Sequence, residues 1–188
     1  MSSDFFPFIQ TIHPLSNQAK EALAAIVKKV VLKKGETLLE EGKICHSIYF
    51  VENGCLRSFY NLDGKEVTYW ISMAGMFASS FSSFIAQIPS HENIHALEDS
   101  SLIAIHINDL TQLYHAYHEI ETLGRKLSEK YYIQLEERTF ALQFLSAKDR
   151  YEKLVNEHPN LLQKVSLGHL ASYLGITQET LSRIRGKA

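Results

Sequence analysis

Cysteine is scarce in this chain of 188 residues: Cys45 and Cys55 are the only two. They could pair, but nothing else suggests a disulfide framework, and a reduced compartment, the cytoplasm, is the simpler expectation. Two thiolates also cannot supply the four ligands of an iron–sulfur cluster within one chain. No apolar run is long enough to span a bilayer. The opening MSSDFFPFIQ carries an acid and no basic stretch, unlike a secretory leader. Glycines do not fall at phosphate-loop spacing, and the serine-rich FASSFSS has neither Gly-x-Ser-x-Gly surroundings nor spaced triad partners. With no catalytic constellation, the chain is expected not to be an enzyme, and no cofactor is required. Nine histidines are present. His115 and His118 stand three apart on what reads as a helix, beside Glu119, but spacing fixes no third ligand, so no metal site is expected. His46, His91, His95 and His106 are scattered. Any one could ligate haem, and each also reads as an ordinary packed or solvated histidine.

The formal net charge is only −2, a weak argument against a nucleic-acid partner. Its distribution argues the other way. From residue 147 onward, seven Lys and Arg face four Asp and Glu, a local +3, which leaves −5 on the rest. A basic end on an acidic body suits a protein that touches phosphate through one tip. The charge is modest, so one copy alone should bind DNA poorly, and a symmetric dimer would double the contacts.

Residues 16–27 read as a short amphipathic helix capped by Ser16, with Leu23, Ile26 and Val27 on one side. From Val30 to His106, β-branched and aromatic runs alternate with turns. Asn53-Gly54 and Asp63-Gly64 both read as hairpin signals. Many strands at near-regular spacing imply an antiparallel barrel, roll or sandwich. Within them, Phe77, Phe81, Phe84, Ile85 and Ile88 recur at helical spacing and predict an inserted helix. Beyond Asn108, a candidate N-cap, the chain turns helical. A long helix is expected over 119–145. Its stripe of Leu123, Leu127, Tyr131 and Leu135 fits either a partner helix or the chain's own β-domain equally well. Ser146 and Asp149 read as a capping pair for a further helix to Glu157. The domains are therefore placed at 1–118, 119–145 and 146–188.

The last stretch, KVSLGHLASYLGITQETLSRIRGKA, is the most specific. Leu167, Leu170, Ala171 and Leu174 line one helical face, and Ala171 is small where a second helix would cross. Gly175 can take the left-handed backbone that ends the helix. Ile176 fills the corner, Thr177 caps the next helix, and Leu181 and Ile184 pack back. Gln178, Glu179, Thr180, Ser182 and Arg183 are left on or near the outer face, with Arg185 and Lys187 beyond. Gln and Arg are side chains that read base edges, and the start of such a second helix faces the major groove. Arg183 is placed to pair with Glu179. A plain helical hairpin shares the glycine but not the whole pattern.

KKGETLLEEG, SIYFVENGCLRSFY, LDGKEVT, HALEDSSL and LGITQETLSRIR together resemble the Crp/Fnr family of bacterial transcription regulators over nearly the whole chain. The resemblance implies an α+β fold. Its parts are an antiparallel β-roll of jelly-roll type, a long dimerisation helix and a C-terminal helix-turn-helix; the sequence departs from the many members that continue into a β-wing, since no room for a full wing is expected after Ile184. It implies a homodimer on double-stranded DNA, with RNA polymerase as a partner and no membrane. Family members that bind cyclic nucleotides carry Gly-Glu and Arg-Ser pairs in the roll. Here Ser79 or Ser80 stands for the acid, and Ser90 and His91 stand for Arg and Ser. A phosphate would lack its counter-charge, so tight cyclic-AMP binding is not expected. The remaining pocket, with Trp70 in its wall, would hold another effector of unknown identity or be filled by its own side chains. The alternative is a cyclic-nucleotide or other small-ligand module whose C-terminal helices mediate protein docking.

Overall fold

The computed structural model describes residues 4–186. Two helices open the chain, α1 (Phe5–Ile12) and α2 (Asn17–Ile26). The sequence reading missed α1. Its Pro7 stands in the first turn, where the missing N–H is tolerated, and Phe5 and Ile9 anchor it in the core. Ser16 caps α2 by accepting from the Ala19 amide.

Eight strands follow: β1 (Lys28–Leu32), β2 (Thr37–Leu39), β3 (Ser47–Asn53), β4 (Cys55–Leu62), β5 (Lys65–Met73), β6 (Phe77–Ala78), β7 (Asn93–Ala96) and β8 (Ser100–His106). They form two four-stranded antiparallel sheets, ordered β1-β8-β3-β6 and β2-β7-β4-β5. The two glycine turns behave differently. Asp63-Gly64 closes a two-residue hairpin between β4 and β5, with Leu62 opposite Lys65 and positive φ at both turn residues. Asn53-Gly54 is not a hairpin: β3 and β4 lie in different sheets. Gly54 (φ +109°) carries the chain across against Ser100, whose Oγ would lie 2.1 Å from an added Cβ. Close approach, not turn chemistry, requires this glycine.

The inserted helix α3 (Phe81–Ala86) is shorter than expected, because Phe77 belongs to β6 while Ile85 and Ile88 are exposed. After β8 comes α4 (Ile107–Ala116). Its cap is not Asn108 but the His106 ring, which accepts from the Asn108 amide. The long helix α5 runs His118–Phe144, and α6 (Ala147–Glu157) follows. Ser146 Oγ accepts from the Asp149 amide and donates to its carboxylate, the reciprocal cap read from the sequence. Then come α7 (Leu161–Lys164), not foreseen, α8 (Leu167–Tyr173) and α9 (Gln178–Arg185).

Two apolar cores result. One fills the roll and reaches α1, α2, α4 and the start of α5. The other joins Tyr151, Leu154, Leu170, Leu174 and Leu181 to Cys55 and Ile71 of the second sheet. Alternation along β4 and β5 explains how one sheet serves both. Leu56 and Ser58 face the roll interior, while Cys55, Arg57 and Ile71 face the C-terminal helices. Among the described residues, no helix is long and apolar enough to cross a membrane.

Candidate nucleic-acid interface and sensor interior

The C-terminal helix pair is built from local rules. Ser166 caps α8 by accepting from the His169 amide, and Thr177 caps α9 by accepting from the Thr180 amide. Gly175 takes φ +66° between them, and its amide and that of Ile176 bond back to Ser172 and Ala171. Ala171 and Leu181 are buried, Leu181 at 0% exposure, and Ile184 packs beside them. Gln178, Glu179, Ser182, Arg183 and Arg185 are exposed as a consequence, while Thr180 is half-buried. Lys187 lies outside the described residues. Its own backbone amide and the Thr177 hydroxyl hold the Glu179 carboxyl below its usual range. Arg183 does not close the expected ion pair with Glu179. Its Nε lies 3.5 Å from the Glu179 carbonyl, one turn back along the helix, which leaves both charged ends toward solvent.

The basic excess of this end is largely committed to its own structure. Lys164 pairs with Glu98 of the roll, and Lys153 sits near Glu137 and Glu157. Arg150 donates to the carbonyls of Leu174 (2.9 Å) and Leu145 (2.7 Å). Arg138 of α5 donates to the Tyr173 carbonyl (3.0 Å) and lies 4.0 Å over its ring. Two arginines therefore satisfy the last carbonyls of α8 and tie the pair to the long helix. The Thr68 amide of β5 donates to Ser172 Oγ at 2.8 Å, which ties it to the roll. Arg183 and Arg185 remain as the basic groups on α9 itself.

The long-helix stripe is divided. Leu123 is buried in the roll core and Leu127 packs against it. Tyr131 stacks on Phe81 (4.1 Å between centroids) and meets Trp70 (5.5 Å). These three are satisfied by their own chain, and Leu135 is half-buried. A different face is open. Ile133, Phe140 and Phe144, at 54%, 54% and 70% exposure, repeat at seven and four residues, and the two phenylalanine rings touch at 5.1 Å. Sequence periodicity contained this second stripe, but it was overlooked beside the stronger leucine one.

Inside the roll the predicted pocket residues separate. Ser80 and Ser90 are buried together, with Oγ atoms 3.0 Å apart. Ser90 Oγ also accepts from the Glu92 amide (3.1 Å). Ser79, although buried, turns toward Ser47 and Cys45. His91 is exposed. Trp70 lines the inner wall opposite Ser58, half-buried. The residue that matters most went unread: Glu92 is only 4% exposed, and its Oε2 has no hydrogen-bond partner among the described residues. Its signal was the parity of ENIHA, which puts Glu92 on the same side as buried Ile94 and Ala96. Burial pushes its carboxyl up to about 6, opposed by the hydroxyls of Ser80 and Ser58. Burial and Glu92 likewise push the Tyr60 phenol up to about 12, and burial and the neighbouring Tyr69 raise Tyr131. The ionisable group buried beside Ser80 and Ser58 is thus an acid. Arg57, buried at the roll, is on the other face of the sheet, held by Glu66 and Thr68.

This carboxyl makes stability depend on pH. Between 4.5 and about 6 the folded state keeps a proton that the unfolded chain has lost. The contribution of this group therefore falls as pH rises through that window, by about 2 kcal/mol at most, while His95 and His169, held below the usual imidazole range chiefly by burial, contribute in the opposite sense below 6.5. Glu92→Gln is expected to be more stable than the parent at pH 7.5, with the difference between the two denaturation midpoints growing from pH 4.5 to 6. A difference that stays constant across that window would show that the group is not shifted.

The remaining chemistry is sparse. His115 and His118 fall on different helices, separated by the break at Tyr117, and His118 faces Glu121. His46 stacks on His106 and bonds Gln87. Among the described residues, no three His, Cys, Asp or Glu side chains gather where a metal could sit. Cys45 and Cys55 are free and buried, and burial pushes the Cys55 thiol up to about 12.

Residues 29–117 match the cyclic nucleotide-binding domain family. The chain is similar in structure to FixK2 from Bradyrhizobium japonicum, with a TM-score of 0.73 and 20% identity, covering 86% of this chain and 84% of that one. It is similar to a chain described as a Crp/Fnr-family transcriptional regulator from Eubacterium rectale, with a TM-score of 0.69 and 17% identity, covering 92% and 83%. DNR from Pseudomonas aeruginosa superposes with a TM-score of 0.58 at 22% identity, covering 100% and 88%. At these identities the likeness is one of fold. No curated protein matches the chain by sequence.

Proposed function

From a cyclic nucleotide-binding-type domain at residues 29–117 and the fold of Crp/Fnr regulators, we propose that this protein is a dimeric, sequence-specific DNA-binding transcription regulator. The observation that carries this is α9. Its buried side, Leu181 and Ile184, packs on α8, which leaves Gln178, Glu179 and Arg183 exposed; that exposure supports reading them as the edge that meets the bases. Arg183 suits guanine and Gln178 suits adenine. Thr177, Ser182 and Arg185 flank them on the exposed surface, where phosphates would lie. Two copies joined along Ile133, Phe140 and Phe144 would present two such helices to half-sites about 34 Å apart. The roll is the sensor and the cytoplasm the setting. RNA polymerase is the partner such a regulator would engage on DNA, and no enzymatic step is assigned.

Arg183→Ala is expected to cost about 1–3 kcal/mol on the preferred site and to relax preference at one base position. Binding to selected and scrambled duplexes at two salt concentrations checks this. Equal loss on every sequence would reduce Arg183 to a phosphate contact and weaken the reading.

The cyclic-nucleotide reading has the family match in its favour but the chamber against it. Ser80 and Ser90 supply no charge for a ribose-phosphate, and Glu92 would repel it. Micromolar cyclic-AMP binding by calorimetry would overturn that argument.

A further inference from the structure

A cavity of about 570 Å³ lies between the roll, α1, α3 and the long helix α5. Its volume falls in the range of small-molecule sites. The walls are Phe8, Phe77, Phe81, Leu110 and Leu127, with Trp70 contributing an indole. Among the residues lining it, Lys130 alone carries a formal charge. Lys130 is exposed on α5, with its Nζ 5.6 Å from the centre of the Phe8 ring, and forms no ion pair among the described residues.

We propose that this cavity binds an apolar molecule of drug size ending in a single carboxylate, with the hydrocarbon body between roll and helix and the acid at Lys130. An apolar body gains from leaving water, and a lone cation beside an otherwise uncharged lining selects the sign of the head group. A cyclic nucleotide fits neither place: its polar ribose-phosphate suits no apolar wall, and the roll interior holds Glu92. Tyr131 lines the cavity and stacks on Phe81, so a ligand there presses on the same helix that carries Arg138 toward Tyr173. The ligand is thus the sensed molecule of the regulator proposed above, while recognition by α9 is tested separately.

Trp70 is the only tryptophan in the chain and reports on the site directly. The full-length protein is titrated with dodecanoate below its micelle concentration, and with dodecylamine as the opposite-charge probe. The expected result is a saturable change in Trp70 emission with dodecanoate and binding weaker by about fivefold or more for the amine. Lys130→Glu, an exposed change that spares the core, should reverse that order. Leu127→Phe should weaken both by narrowing the cavity. No saturable change with dodecanoate overturns the proposal, and so does equal binding of both probes that Lys130→Glu leaves untouched. Should dodecanoate fail while Arg183-dependent DNA preference persists, the cavity assignment falls alone. Should it bind while DNA recognition fails, the regulator reading falls alone.

Discussion

Ile133→Asp together with Phe140→Asp is expected to turn a dimer into a monomer and to lower affinity for a two-fold symmetric DNA site by about 10²–10⁴. Both side chains are half or more exposed on one chain, on the same edge of α5 as Phe144. Exposed apolar side chains at seven- and four-residue spacing form a seam that two helices can share. A carboxylate on each side of that seam would have to be buried unpaired, which costs several kcal/mol per group. The loss in DNA binding then follows without touching α9, because the second half-site no longer benefits from the first. Light scattering gives the mass, and gel-shift titration on whole and half sites gives the affinity. The melting of each single chain should barely move, since neither residue supports its own core. A parent that is monomeric, or a variant that remains dimeric, would place the interface elsewhere.

Leu181→Ala is expected to destabilise the C-terminal core by about 2–5 kcal/mol. Leu181 is fully buried and pins α9 to α8, so its truncation leaves a cavity at the crossing point. Binding should weaken on all duplexes alike, in contrast to Arg183→Ala, which is expected to change sequence preference without changing stability. Hydrogen exchange would show the loss of protection concentrated after residue 146 and on the β4–β5 face that shares this cluster, and would spare the separate core that fills the roll. A stability change below about 0.5 kcal/mol would mean that α9 is not held by this contact, and the exposed reading edge would lose its physical basis.

Legibility in the sequence followed the range of the interactions. The α8–Gly175–α9 unit could be read because every rule it uses acts within about twenty residues: two side-chain caps, one left-handed glycine and apolar spacing of three and four. The capping pair at Ser146 and Asp149 is equally local. Strand positions were legible from alternation, but strand partners were not. Two dipeptides of the same type, Asn53-Gly54 and Asp63-Gly64, do different things because Ser100, 46 residues after Gly54, decides the first. The His106 cap on α4 was missed because histidine seldom takes that place, and Asn108 was the stronger local candidate.

By itself the sequence determined the run of antiparallel strands, the long helix and the closing helix pair, though not α1 or α7, since propensity, periodicity and turn chemistry are written residue by residue. Only the tertiary structure decided which side of α5 is spent on the roll and which is left exposed. The same packing decided that Glu92 stands buried beside Ser80 and Ser58, and that one sheet backs both the roll interior and the C-terminal helix pair. Those outcomes depend on burial across the fold, and burial is a property of what the rest of the chain brings near.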